Sequence, residues 1–307
     1  MFFEGSLEVF SRLREKQRLL REGNPLHETI RPVLLILSGI MRGVYAGGQA
    51  RVLQRHGYTD VFDAVVGVST GAPVAGYFVA GHVHEGVTIY WNECSTSDFL
   101  SLRRLGKGGP LMDTRYLANV FRGAARTFVR LNVEAITASR TALYTAVTCA
   151  RTGLGSLLDA KRATPDVVEA IHASLAMPGL SAGPVTVNDT PYLDGAGAHP
   201  FPVEEVLKLG ANDVLVLANC PEHEGAQESE RLVSRLLFSS LTEAAAGTFR
   251  SRHDRFRDGL AYLRKQARCT YGIIWTDGLL SGFERNPKRL EEAAGTADHH
   301  LETLIAA

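Results

Sequence analysis

Val61-Phe62-Asp63-Ala64-Val65-Val66-Gly67-Val68-Ser69-Thr70-Gly71-Ala72 joins a valine-rich run to a series of small residues, followed by Ala75, Tyr77, Phe78 and Val79. The first half reads as a buried strand and the second as a helix. Between them stands Gly67-Val68-Ser69-Thr70-Gly71, a G-x-S-x-G. A serine at a sharp strand-to-helix turn needs neighbours without a Cβ, so that the backbone bends and the hydroxyl stands clear of the sheet. The same turn aims the first amides of the helix at whatever reacts with the serine, where their partial positive charge favours an oxyanion. Ser69 is therefore the candidate nucleophile, with Gly67, Thr70 and Gly71 shaping its turn. The pentapeptide alone is a weak signal, because an ordinary tight turn of an α/β domain uses the same residues.

Upstream, residues 32–37 are apolar throughout, as in a strand buried on both faces of a parallel sheet. They run into Ser38-Gly39-Ile40-Met41-Arg42-Gly43, after which residues 44–55 predict a helix that closes at His56-Gly57. Strand, loop, helix, strand, serine turn and helix make a β-α-β-α unit whose two loops share the carboxyl end of the sheet, where open α/β sheets place their sites. Loop 38–43 and the Ser69 turn are expected to face each other, one supplying backbone N–H donors and the other the nucleophile. Residues 4–22 predict an amphipathic helix with Leu7, Phe10, Leu13 and Leu20 near helical spacing and basic residues from Arg12 to Arg21, ending at Gly23-Asn24-Pro25. Such a helix docks on its own domain or lies on a membrane surface. Residues 1–30 are read as this helix and a linker, and 31–307 as the main domain.

Downstream, residues 82–130 read as mostly helical or irregular chain, with Tyr90, Trp91, Phe99, Leu102, Tyr116, Leu117 and Phe121 as packing candidates. Gly106-Lys107-Gly108-Gly109-Pro110 interrupts them, but lacks both the G-x-x-x-x-G-K-[ST] spacing of a phosphate loop and a strand before it. Residues 143–149 predict a strand, 166–175 a helix stopping at Met177-Pro178-Gly179, and 185–193 a short hairpin that delivers Asp194-Gly195-Ala196-Gly197. A carboxylate followed by small residues at a strand end stands where another loop can approach closely, which makes Asp194 the second candidate. The plainer reading is an Asp that caps its own turn. Residues 203–209 predict a helix, 213–218 a core strand, 221–267 a charged helical excursion, 270–275 a return to the sheet, and 287–305 a closing helix.

The 307 residues, 45% apolar and 21% charged, suit one large α/β domain of ordinary soluble make-up. Lys plus Arg and Asp plus Glu both number 33, so no overall field draws the chain to nucleic acid. Cys94, Cys149, Cys220 and Cys269 are widely separated, with no C-x-x-C or Cys/His cluster, and read as thiols of a reducing compartment that form neither a disulfide framework nor a metal site. His299-His300 has no further ligand at suitable spacing. The N-terminus lacks the apolar core of a signal peptide, and no stretch approaches about 18 apolar residues, so a cytoplasmic protein without a membrane-spanning helix is expected.

Ser38-Gly39-Ile40-Met41-Arg42-Gly43, Gly67-Val68-Ser69-Thr70-Gly71 and Asp194-Gly195-Ala196, in that order, resemble the three blocks of patatin-like phospholipases. The resemblance extends over most of residues 33–290. It looks nearest to the bacterial-type branch, to which Ala173-Ser174-Leu175-Ala176-Met177-Pro178 and residues 274–289 are also similar. It implies a three-layer α/β/α fold around a central, mostly parallel sheet. It also implies a lipid acyl hydrolase of phospholipase or carboxylesterase type that uses a Ser69–Asp194 dyad and an acyl-enzyme. Ser69 would attack the ester carbonyl, and Asp194 would accept its proton and later activate water. The implied partner is a lipid or acyl ester, no metal or organic cofactor is implied, and the basic N-terminal helix gains a peripheral membrane role. The sequence does not set the oligomeric state.

The first block departs from the family's glycine run, whose amides form the oxyanion hole. Ser38 and Ile40 stand where two of those glycines would be, while Gly39, Arg42 and Gly43 remain. A positive φ is unfavourable for Ser and worse for β-branched Ile, and Ile40 would fill space that the acyl carbonyl needs. Losing one donor costs about 3–4 kcal/mol of the barrier. Two other readings therefore stand beside the hydrolase. One is a catalytically impaired patatin-like protein that binds lipid or a protein partner. The other is an α/β-hydrolase triad completed by His199, His223 or His253, all of which follow Asp194. His82 and His84 read as helix-end or surface residues.

Overall fold

In strands such as Pro32–Ile36 and Asp213–Leu217 every side chain is buried, so both faces of the sheet must be covered. The computed structural model, which describes residues 1–124, 129–222, 238, 241–277 and 279–306, shows how. In chain order the main elements are β1 (Phe2–Gly5), α1 (Glu8–Arg21), β2 (Pro32–Ile36), α2 (Gly43–Arg55), β3 (Ala64–Val68) and α3 (Gly71–Val79). After short helical turns follow α4 (Thr114–Phe121), β4 (Ala142–Cys149), β5 (Gly155–Asp159), α5 (Val167–Ser174), β6 (Val185–Val187) and β7 (Thr190–Asp194). The chain closes with α6 (Val203–Lys208), β8 (Asp213–Leu217), α7 (Glu243–Arg250), α8 (Arg252–Arg264), β9 (Thr270–Trp275) and α9 (Pro287–Ala306).

The sheet runs β1-β9-β8-β2-β3-β4-β7-β6, with β5 also on β4. Its middle, from β9 to β4, is parallel, and its margins are antiparallel. Alternate residues divide the core. Leu34, Ile36, Val65, Leu215 and Ile274 pack with α1, α2, α3 and α9, whereas Val33, Leu35, Val66, Val216 and Trp275 pack with α6 and α8. The result is a three-layer α/β fold with a mixed, mostly parallel sheet between helices, as expected.

One detail of pairing positions the site. Tyr144 to Thr148 of β4 pair with β5 across one edge. Along the other edge, residues up to Ala146 pair with β3 and residues from Val147 pair with β7. β3 and β7 therefore meet end to end on β4, with Val68 opposite Ala146 and Asp194 opposite Val147. The residue after Val68 is Ser69.

Several boundaries differ from expectation. The helix expected over residues 4–22 begins at Glu8, because residues 2–5 are drawn into an antiparallel pairing with β9 that satisfies the backbone of that sheet edge. Its buried stripe is Val9, Phe10, Leu13, Lys16 and Leu19, and Leu7 stays exposed. The Lys16 ammonium pairs with Asp63 and Arg12 pairs with the buried Asp213, while Arg18 pairs with Glu15 and Glu22. The apolar face of α1 is thus occupied by its own domain, which leaves it no face for a bilayer. β5 was not expected; its half-exposed Gly-Ser-Leu-Leu-Asp carries little period-two signal. Part of the expected excursion over 221–267 lies outside the described residues, and the rest contains α7 and α8. Among the described residues no helix is long and apolar enough to cross a membrane, and no disulfide joins the four cysteines.

Candidate active site

Ser69 sits at φ 53 between the end of β3 and the start of α3. An L-residue pays for that conformation, and such strain persists only where the surroundings over-determine it. Here the flanking glycines admit the turn. A Cβ at Gly67 would come 2.4 Å from the Ala72 Cα, and one at Gly71 would come 2.2 Å from the Ile36 carbonyl oxygen. The Ser69 N–H is held by Ser174 Oγ at 2.9 Å, and that hydroxyl donates to the Ala146 carbonyl at 2.7 Å.

Ser69 Oγ donates to Asp194 Oδ2 at 2.6 Å, the direct contact that the β3/β7 abutment makes available. The other carboxylate oxygen accepts the Ala196 N–H at 2.8 Å, so Asp194 caps its own turn and meets Ser69 with separate oxygens. The Asp194 backbone is pinned as well: its N–H reaches Ala176 O at 3.0 Å, and its carbonyl accepts Thr148 Oγ1 at 2.8 Å. Gly195 donates weakly to Ser174 O at 3.4 Å. Burial pushes the Asp194 carboxyl up to about 7, against the opposing pull of the Ser69 hydroxyl, the Ala196 N–H and the charge of Arg252. A carboxylate with that affinity for protons is matched to accepting one near neutral pH.

Loop 38–43 does face the Ser69 turn, since the Gly39 N–H donates to Thr70 Oγ1 at 3.1 Å. Ile40, Met41 and Arg42 form one 3-10 turn that runs into α2 at Gly43. Ile40 is held at φ 53, so the strained conformation open to this loop is the one it adopts. The Met41 N–H is spent on Gly282 O at 3.1 Å. Arg42 turns toward a main-chain carbonyl, its Nε lying 3.5 Å from Gly39 O. Ser38 is half-buried, and the buried Asn219 braces the loop by donating to Leu37 O at 2.7 Å and accepting the Ala46 N–H at 3.0 Å. Tyr90 closes the junction, its hydroxyl on Thr70 O at 3.2 Å.

A pocket of about 570 Å³, its mouth included, opens over Ser69 and Asp194. Its walls are Ile40, Met41, Pro73, Ile89, Phe99, Met112, Leu117, Phe121, Leu175 and Met177, with Thr70, Tyr90, Cys94 and Thr114 among them. The walls around Ser69 and Asp194 are therefore mostly apolar, as in a site for an apolar chain joined to a reactive head.

Among the described residues no histidine lines the pocket. His199 Nδ1 lies 3.8 Å from Glu205, His82 and His84 are exposed, and His223 lies outside the described residues. The contact that a triad would give to histidine is made by Asp194 itself. Among the described residues, no three His, Cys, Asp or Glu side chains gather as metal ligands would.

Ser174, Thr148, Asn219 and Gly282 were not singled out as site residues from the sequence. Only Ser174 left a trace, a hydroxyl on the otherwise apolar end of the 166–175 helix. Ser174→Ala is expected to strand the Ser69 N–H and lose the bond to Ala146, lowering stability by about 2–3 kcal/mol in urea unfolding and turnover by roughly tenfold. Unchanged stability would contradict the bracing role.

The family described as patatin-like phospholipase matches residues 34–207. The uncharacterized Escherichia coli (strain K12) protein YjjU is 24% identical over 193 residues, 62% of this chain and 52% of its own length. The chain thus spans about half the length of that curated relative. The crystal structure of VipD from Legionella pneumophila aligns with 90% of this chain and 67% of its own, at 10% identity and a TM-score of 0.43. Full-length ExoU, solved with SpcU from the type III secretion system of Pseudomonas aeruginosa, aligns with 91% of this chain and 54% of its own, at 14% identity and a TM-score of 0.37.

Proposed function

Because the chain belongs to the patatin-like phospholipase family, we propose that it hydrolyses carboxylic esters of lipids, with Ser69 as nucleophile and Asp194 as its only general base. The observation that carries this reading is the 2.6 Å contact between Ser69 Oγ and Asp194 Oδ2 in the lining of a mostly apolar pocket. Asp194 Oδ2 takes the hydroxyl proton as Oγ bonds to the carbonyl carbon, and the carbonyl electron pair moves onto oxygen. Collapse of that intermediate expels the alcohol, which leaves with the proton from Asp194. The carboxylate then takes a proton from water as the water attacks the acyl-enzyme, and the fatty acid departs as Ser69 recovers its own.

The oxyanion needs N–H donors that are not already committed. Gly39 and Met41 have spent theirs on Thr70 Oγ1 and Gly282 O. We assign the role to the N–H groups of Thr70, at the start of α3, and Ile40, at the start of the 3-10 turn. Ser38, Gly39, Met41, Arg42 and Gly43 then act as the frame of that loop, and Gly195 and Ala196 as the frame of the acid.

The substrate class follows from the walls: an acyl chain gains about 0.8 kcal/mol per methylene buried there, whereas a charged head has no partner inside. The competing reading, a lipid-binding protein with impaired chemistry, is favoured by Ile40, whose side chain shares the pocket with Ser69. Turnover of p-nitrophenyl butyrate separates the two. With Asp194 protonated below about 7, kcat/KM is expected to fall about tenfold per pH unit on the acid side and to level off above pH 8. A flat profile between pH 5 and 9 would remove Asp194 from the proton transfer.

A further inference from the structure

Two loops rise from the walls of the pocket into solvent. Loop 101–110 is closed at its base by the antiparallel Leu100–Met112 bridge and by the Ser101 N–H on Leu111 O at 2.9 Å, and the neighbouring Phe99 and Met112 line the pocket. Arg104 spends its guanidinium on the carbonyls of Ser97, Asp98, Phe99 and Pro110, which curls the loop while Leu102 and Leu105 remain 71% and 45% exposed. Loop 279–285 is tied to the pocket lining by the Met41 N–H on Gly282 O and reaches Ser95 O through Arg285 Nε at 3.3 Å. It leaves Leu279 and Phe283 78% and 45% exposed. Of the nine large apolar side chains exposed among the described residues, these two short loops carry four.

Their exposed charges are all basic. Loop 101–110 contains Arg103, Arg104 and Lys107 and no carboxylate, and Arg103 and Lys107 are exposed. In the second loop Arg285 is exposed, as is Lys288 just beyond it, whereas Glu284 is largely buried and paired with Arg289 at 2.7 Å. In a chain of zero formal net charge, exposed leucine and phenylalanine interleaved with cations at a pocket mouth match the interface of an anionic bilayer.

We propose that loops 101–110 and 279–285 dock the protein on anionic phospholipid membranes, with Leu102, Leu105, Leu279 and Phe283 entering the acyl boundary and Arg103 and Lys107 meeting the phosphates. The rim and not α1 carries this role, because the apolar face of α1 is covered by its own domain. An acyl chain leaving such a surface meets Phe99, Met112 and Ile40 without crossing water. The inference rests on the acyl-ester reading for what enters the pocket, but its test needs no turnover.

The test is co-sedimentation of the Ser69→Ala protein with vesicles of phosphatidylcholine alone and of phosphatidylcholine with phosphatidylglycerol. Binding is expected only to the second, weakening as salt is raised. In that background, Arg103→Glu with Lys107→Glu should cut partitioning by about 20-fold or more, and Leu102→Ser with Leu105→Ser by about tenfold or more. The same paired changes in the wild type should leave p-nitrophenyl butyrate turnover and the melting temperature unaltered. No binding to anionic vesicles, equal binding to neutral ones, or binding indifferent to both paired variants would overturn the proposal. So would a dimer in vesicle-free buffer that is lost on Leu102→Ser with Leu105→Ser, since a second copy would then be the partner. Failure of wild-type turnover would count against the hydrolase and leave the docking result standing.

Discussion

Ser69→Ala is expected to lower p-nitrophenyl butyrate turnover by about 10⁴-fold or more while the protein stays folded. The loss is large because, among the described residues, it is this hydroxyl in the pocket lining that hydrogen-bonds to Asp194 Oδ2. Its removal deletes the covalent route, leaving only whatever the donors of Thr70 and Ile40 do for direct attack by water. The fold should tolerate the change because alanine meets the same cost at φ 53 that serine already bears, and the Ser69 N–H keeps its bond to Ser174. Steady-state rates with a parallel thermal melt check both halves. A variant that retains a tenth of the activity would place the nucleophile elsewhere.

Asp194→Asn is expected to lose turnover by about 10³-fold or more and, unusually for a buried site, to gain stability at alkaline pH. The activity loss follows from replacing the base with a group that cannot take the Ser69 proton. The stability gain follows from the sign of the shift. A carboxyl that holds its proton to about 7 when folded, against 3.8 ordinarily, binds more protons folded than unfolded between those values, so stability falls as pH rises through that window. Above it, both states are ionised and the folded state carries the whole cost, on the order of 4 kcal/mol. Asparagine fills the same space without the charge, and its oxygen can still accept the Ala196 N–H. Melts of the two proteins should therefore diverge at pH 8, with the variant higher, and converge below about pH 4. Equal melting at pH 8 would mean that burial does not strain the carboxylate.

The parts of the site legible in the sequence were those set by local backbone demands. The Ser69 turn announces itself because the glycines either side are required by contacts within a few residues and with the adjacent β2 strand. Asp194 was visible as a carboxylate before small residues. Its pairing with Ser69 came only with the family resemblance and not from the local pattern, because the meeting depends on β3 and β7 sharing one edge of β4, a matter of register between segments 125 residues apart. The bracing bonds are hidden for the same reason: Ser174 reaches across 105 residues to Ser69, and Asn219 across 182 to Leu37. Single buried polar groups with distant partners leave no periodicity to read. The stripe of α1 was shifted because Lys16 is buried by its pairing with Asp63, a tertiary contact that overrides the helical pattern. Ile40 was read as an obstacle to a glycine-like conformation, yet the loop holds it there with bonds from Met41 to Gly282 and from Gly39 to Thr70.

The central claim is that Asp194 alone activates Ser69. Its most direct test is labelling with a fluorophosphonate, read by intact mass and peptide mapping in the wild type and in Asp194→Asn. A single adduct on Ser69 in the wild type, forming at a rate that rises with pH through about 7, and no adduct in Asp194→Asn over the same time, is the expected result. Folded wild-type protein that takes no adduct, or an Asp194→Asn protein that labels as fast as the wild type, would contradict it.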